Sequence, residues 1–74
     1  MVKSLREVSF ELSSAMKDYP PFSSAHEGYA ILLEEVDELW DEVKKKPKDR
    51  DKEKMRAEAM QIAAMAIRFM EDLT

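Results

Sequence analysis

Acidic side chains are concentrated in one short stretch of the chain. Residues 34–42 read Glu-Glu-Val-Asp-Glu-Leu-Trp-Asp-Glu, so six of the nine residues carry a carboxylate. On a helix, Glu35 and Glu38 are separated by one turn and can point into the same space. Like charges at this spacing repel one another, whereas carboxylate oxygens suit a hard divalent cation such as Mg²⁺. The stretch is therefore either a solvated acidic face or one half of a metal site.

A further carboxylate falls within an apolar helical pattern. With residues placed at about 100° each, Glu58 projects between the directions of Ile62, Met65 and Phe69. A buried carboxylate without a partner is costly or takes up a proton. A cation shared with the acidic stretch would offset that cost, and Gln61, one turn further on, can add an amide oxygen. The alternative is that Glu58 reaches solvent at the rim of its helix.

Two breaks divide the chain into three helical segments. One is Tyr19-Pro20-Pro21-Phe22, and the other is the lysine-rich stretch 44–49, which contains Pro47. No stretch alternates with period two, so the sequence predicts an all-α fold. Ser4 and Ser24 each precede a glutamate by three residues, which is the spacing of a capping box at a helix start. The predicted helices cover residues 4–17, 24–46 and 50–73.

The apolar residues predict more buried surface than one small chain can cover. The third predicted helix is apolar over more than half of its circumference, and 38% of the 74 residues are charged. We therefore expect one domain, a helical hairpin with an N-terminal helix, that assembles into a four-helix-type bundle as a homodimer or homotetramer. The second predicted helix carries one apolar stripe, which we assign to the core: Tyr29, Leu32, Leu33, Val36, Leu39, Trp40 and Val43.

Composition and charge exclude several classes of protein. The net charge is −4, which disfavours a broad basic surface for nucleic acid. There is no cysteine and only one histidine, so thiolate zinc sites and zinc fingers are excluded. No apolar run approaches the roughly 20 residues of a membrane span. We expect a cytoplasmic protein that binds neither nucleic acid nor membrane.

The two carboxylate segments together resemble a known family. Glu35-Val36-Asp37-Glu38 and Glu58-Ala59-Met60-Gln61 are similar to the E-x-x-E and E-x-x-D motifs of the MazG-like, all-α nucleoside triphosphate pyrophosphohydrolases. The longer stretches 25–35 and 58–69 resemble a small MazG-related branch, and the similarity extends over residues 22–73. The family has aspartate where this chain has Gln61, whose neutral amide is a weaker ligand.

The resemblance implies an activity and roles for these residues. The expected reaction is Mg²⁺-dependent cleavage of a nucleoside triphosphate into a nucleoside monophosphate and pyrophosphate, with removal of noncanonical nucleotides as one expected role. Glu35, Glu38 and Glu58 would be the catalytic metal ligands, with Gln61 at the fourth position, and Mn²⁺ could replace Mg²⁺. Family members assemble as dimers or as dimers of dimers.

Three other residues are candidates for substrate binding, each with a plainer alternative. Lys54 could meet phosphates, although a solvated face also fits its position. Trp40 could stack on a base, although the apolar stripe favours a core role. His26 could act as a general base, although its place near a helix start favours capping or packing. The rival interpretation of the whole chain is a non-catalytic oligomeric helical module or a degenerate relative. Gln61 and the lack of a counterpart to the last helix of the MazG-like family favour this rival.

Overall fold

The computed structural model describes residues 2–74, which form three α-helices and one short 3₁₀ turn. Residues 2–74 contain no strand, so the predicted all-α class is confirmed. None of the helices within this range is long and apolar enough to cross a membrane. The elements are α1 (Lys3–Asp18), α2 (Ala25–Val43), the 3₁₀ turn (Pro47–Asp49) and α3 (Lys52–Leu73).

The two predicted capping boxes differ in outcome. The hydroxyl of Ser24 accepts a hydrogen bond from the backbone N–H of Glu27 at 3.1 Å, so α2 begins as predicted. The prediction that Ser4 caps α1 is wrong, because α1 already begins at Lys3 and Ser4 lies in its first turn. The Ser4 hydroxyl instead accepts a hydrogen bond from Arg56 of α3 at 3.0 Å. Ser4 therefore joins two helices rather than starting one.

The predicted ends of the second and third helices need correction. α2 ends at Val43 rather than at residue 46. Pro47 disfavours helical backbone in the residue before it, and Lys46 is accordingly extended. α3 begins at Lys52 rather than at residue 50, because the side chain of Asp51 caps it by accepting hydrogen bonds from two backbone N–H groups.

α3 is the central helix, and the other two pack on it side by side. α1 runs parallel to α3, since Arg56 lies beside Glu7 and Arg68 lies beside Ala15. α2 runs antiparallel to α3, and its early Gly28 meets the C-terminal end of α3. Within the described residues α1 and α2 do not pack against each other. The arrangement leaves a groove between them, above α3.

The non-helical connection between α1 and α2 is held in place by a buried arginine that sequence reasoning missed. Arg68 is 3% exposed and donates to Asp72 (3.1 Å), to the backbone oxygen of Ala15 (3.1 Å) and to that of Tyr19 (2.7 Å). Asp72 also accepts from the backbone N–H of Phe22 at 3.0 Å. Two of these bonds attach Arg68 of α3 to backbone oxygens in the last turn of α1 and just beyond it. The only signal was the four-residue spacing of Arg68 and Asp72 within an apolar helix.

The core of a single chain is small, and half of the predicted α2 stripe lies outside it. The prediction that Tyr29, Leu33, Val36 and Trp40 are core residues is wrong for one chain, because these side chains are exposed by 42–61%. They form a continuous surface, which we call the outer face of α2. The buried apolar residues are Ala15, Phe22, Ala64 and Met65.

Candidate metal centre and adjoining groove

Three glutamates from two helices converge on one point. Glu35 and Glu38 are one turn apart on α2, and Glu58 approaches them from the antiparallel α3. One carboxylate oxygen from each lies within 4.8 Å of those of the other two. Glu35 and Glu58 are half-buried, whereas Glu38 is exposed. The structure thus brings together the three carboxylates that the sequence singled out.

Burial and the neighbouring carboxylates raise the pKa of two members of this cluster. Burial, followed by the neighbouring Glu38 and Glu58, raises the pKa of Glu35 to about 7. Burial and a hydrogen bond with Glu38 also raise the pKa of Glu58. Carboxyl groups this close either take up a proton or share a cation, and carboxylate oxygens are ligands that divalent cations such as Mg²⁺ accept. The donor set therefore fits Mg²⁺ or Mn²⁺.

The rest of the acidic stretch has a different environment. Asp41 pairs with Lys44 at 3.0 Å, and Glu42 pairs with Lys45 at 3.1 Å. Both lysines belong to the lysine-rich stretch that follows the last residue of α2. The C-terminal end of the acidic stretch is therefore ion-paired with lysines. Glu35 and Glu38, nearer its start, face Glu58 instead.

Gln61 reaches from α3 toward α1. Its amide nitrogen donates to the Oε1 atom of Glu11 at 2.7 Å, and both residues are half-buried. The carbonyl oxygen of Gln61 as a fourth metal ligand stays a prediction. Sequence reasoning missed Glu11, although it lies three residues after Val8 and four before Ala15, on the apolar side of α1. The periodicity that singled out Glu58 would have found it too.

The metal-ligand candidates adjoin the groove between α1 and α2. The groove encloses about 690 Å³, within the range of small-molecule sites. Apolar side chains of Ile31, Met65 and Phe22 line it, Glu35 stands in its wall, and the 19–22 connection contributes to its lining. A ligand in the groove would thus touch Glu35, the member of the carboxylate cluster that lines it.

None of the three remaining candidates lines the groove. His26 is exposed in the first turn of α2, and Lys54 is exposed one turn before Glu58 on α3. Trp40 is 58% exposed and follows Glu38 by two residues, a rotation of roughly 200° about the helix axis. The structure does not bring His26 or Trp40 to the three carboxylates, and substrate roles for all three residues stay predictions.

The comparisons with known proteins leave the family open. No protein-family model matches the chain, and no curated protein or solved structure shows significant similarity to it. The structural features that bear on function are three carboxylates on two antiparallel helices and a groove of ligand size beside them.

Proposed function

We propose that the chain is a Mg²⁺-dependent nucleoside triphosphate pyrophosphohydrolase, which releases a nucleoside monophosphate and pyrophosphate. The observation that supports this most directly is the approach of Glu35, Glu38 and Glu58 to within 4.8 Å of one another. These are the positions that match the motifs of the MazG-like family in the sequence. The sequence resemblance and the geometry of the three carboxylates therefore support the same Mg²⁺ site.

The three carboxylates would hold the cation, and the chain's other groups would hold the substrate. Mg²⁺ is commonly bound by one or two carboxylates together with the phosphates of a substrate. When bound, it would neutralise phosphate charge and make water a stronger acid. Glu35 and Glu38 keep a fixed separation because one helix carries both, and the packing of α2 on α3 sets their distance from Glu58. The groove beside them would take the nucleoside part of the substrate.

We also propose that the active form is a homodimer or homotetramer. The chain exposes 5627 Å², whereas a folded monomer of this mass typically exposes about 4,700 Å². The excess is accompanied by the exposed apolar residues of the outer face of α2. A second copy packed on this face would cover those side chains and complete the expected bundle.

Metal binding is the first test of the site. Isothermal titration with Mg²⁺ and with Mn²⁺ should give saturable binding to the wild-type protein, weakened at least about tenfold in Glu58→Gln, because one charged ligand is lost. Asp37→Asn is the matched control, since it removes a charge from the same acidic stretch but outside the cluster. Equal binding by Glu58→Gln and the wild type would contradict the proposed site.

Catalysis is tested separately, because the rival is a non-catalytic helical module. The large outer face of α2 is the observation that favours this rival, since a scaffold needs such a surface. A panel of nucleoside triphosphates with Mg²⁺ and pyrophosphate detection discriminates between the two. Metal binding together with no pyrophosphate from any triphosphate would support the module and reject the enzyme.

A further inference from the structure

One face of α3 runs along the groove, and its side chains change from charged to polar to apolar along the helix. Glu58, Gln61 and Met65 follow one another at intervals of three and four residues, so their side chains share a face. Met65 lies about 10 Å beyond Glu58 along the helix, at 1.5 Å per residue. A ligand with phosphates at the cluster would therefore extend its other end past Gln61 to the apolar lining formed by Met65 and Ile31.

On the α1 side of the groove, the carboxylate of Glu11 is a hydrogen-bond acceptor whose position is fixed by Gln61. Glu11 lines the groove and uses its Oε1 atom to accept from Gln61 at 2.7 Å. An ionised carboxylate has two oxygens and only accepts hydrogen bonds, so Oε2 can accept from a ligand. Among the lining residues the basic side chain is Arg68, which is buried and donates to Asp72 and to backbone carbonyls. The groove is thus richer in acceptors than in cationic donors.

This chemistry distinguishes between nucleobases. The exocyclic amino groups of cytosine and adenine donate hydrogen bonds, and carboxylates accept from such groups in other complexes. The corresponding keto oxygens of uracil and hypoxanthine are acceptors, and they would face the Glu11 carboxylate with no hydrogen between them. The apolar lining formed by Ile31, Met65 and Phe22 offers no hydrogen bond that distinguishes one base from another. Selectivity between bases therefore depends on the polar groups of the groove.

We propose that the groove binds the nucleobase of the substrate and that Glu11 selects bases with an exocyclic amino group over their keto counterparts. This inference rests on the proposed function, because it takes the carboxylate cluster as the site of the phosphates. Gln61 is then a positioning residue that holds Glu11 through its amide. The N-terminal helix, which lies outside both carboxylate motifs, thereby acquires a role in specificity.

Binding of non-hydrolysable triphosphates to the full chain tests this inference without depending on turnover. Titrations with Mg²⁺ would compare the α,β-methylene analogues of cytidine with uridine triphosphate, and of adenosine with inosine triphosphate. We expect the amino member of each pair to bind on the order of tenfold more tightly, as for a hydrogen bond to a charged group. In Glu11→Gln this preference should fall to about twofold or less, because an amide both donates and accepts.

Glu71→Gln is the control, since it removes an exposed α3 carboxylate that does not line the groove. It should keep the wild-type preference. Equal binding of amino and keto analogues to the wild type would overturn the inference and leave the proposed function intact, as would an undiminished preference in Glu11→Gln. If Glu11→Gln does not fold by circular dichroism, the wild-type comparison alone decides. Failure of every analogue to bind would overturn the proposed function and this inference with it.

Discussion

Glu35 keeps its proton at a higher pH than a glutamate in an unfolded chain does. Its pKa rises from an ordinary 4.5 to about 7, through burial first and then through the charges of Glu38 and Glu58. Between these two values the folded protein binds more protons than the unfolded chain. The free energy of unfolding of the metal-free protein therefore loses a contribution as the pH rises through this window.

Replacement of Glu35 by glutamine should remove this fall in the free energy of unfolding with rising pH. At pH 5 the folded wild type holds Glu35 largely protonated, so the wild type and Glu35→Gln should be similarly stable. At pH 8, without divalent cations, Glu35→Gln should be the more stable protein, because it has no charge to place beside Glu38 and Glu58. Urea unfolding at the two pH values, with a chelator present, measures the difference.

Asp37→Asn is again the matched control for this measurement. It alters the same stretch outside the cluster and should follow the wild type at both pH values. If the wild type gained as much stability between pH 5 and pH 8 as Glu35→Gln does, repulsion at Glu35 would not govern the fold. The comparison separates the site's own electrostatics from the general charge of the protein.

Single residues also show what periodicity predicts and what it leaves out. The direction of Glu58 followed from its place in an apolar helical pattern, and the structure places it beside Glu35 and Glu38. The same pattern could not predict that Glu11 accepts a hydrogen bond from Gln61, because periodicity describes the faces of one helix and not which helix packs beside it. Trp40 shows the converse, since its place on an apolar stripe predicted burial, whereas its side chain is 58% exposed in the single chain.

At the scale of the elements, the Arg68–Asp72 pair fixes the position of α1 and of the 19–22 connection. Both side chains are almost fully buried, and the guanidinium lies 5.3 Å from the centre of the Phe22 ring. Arg68→Met should lower the free energy of unfolding by about 3 kcal/mol, because it leaves a buried carboxylate and backbone carbonyls without their donor. Urea unfolding monitored by circular dichroism measures the loss.

Arg56→Met provides the comparison for this prediction. Arg56 also joins α3 to α1, through Glu7 at 2.9 Å, but both side chains are substantially exposed. Its replacement should cost less than about 1 kcal/mol, as for other surface ion pairs. Equal losses for Arg56→Met and Arg68→Met would mean that burial of the Arg68 network adds no stability.

The elements themselves were predictable where local chemistry decides them. Pro20 and Pro21 separated α1 from α2, and Ser24 marked the start of α2, because both effects involve only neighbouring residues. Ser4 had the same local pattern, yet its hydroxyl bonds to Arg56, a partner 52 residues away in the sequence. The parallel packing of α1 on α3 likewise arises from such distant contacts and had no signal in local spacing.

At the scale of the whole molecule, the layout explains why so much apolar surface is left open. α1 and α2 both pack on α3 and not on each other within the described residues, so the three helices form a thin layer, 39 × 30 × 19 Å. A layer of this kind covers only one side of α2. Its outer face, Tyr29, Leu33, Val36 and Trp40, repeats at intervals of four, three and four residues, as a helix-packing surface does.

Trp40 makes self-association through this face directly measurable, because it is the only tryptophan in the chain. If a second copy packs on the outer face of α2, light scattering should give a mass of at least twice 8.6 kDa, and Trp40 emission should shift to the red on dilution. Leu33→Ser should move this transition to higher protein concentration, because it removes apolar area from the contact. Phe10→Ser, at an exposed site on α1, should leave it unchanged. A mass of 8.6 kDa at every concentration, with constant Trp40 emission, would instead mean that the thin layer is stable alone and that the metal site lies within a single chain.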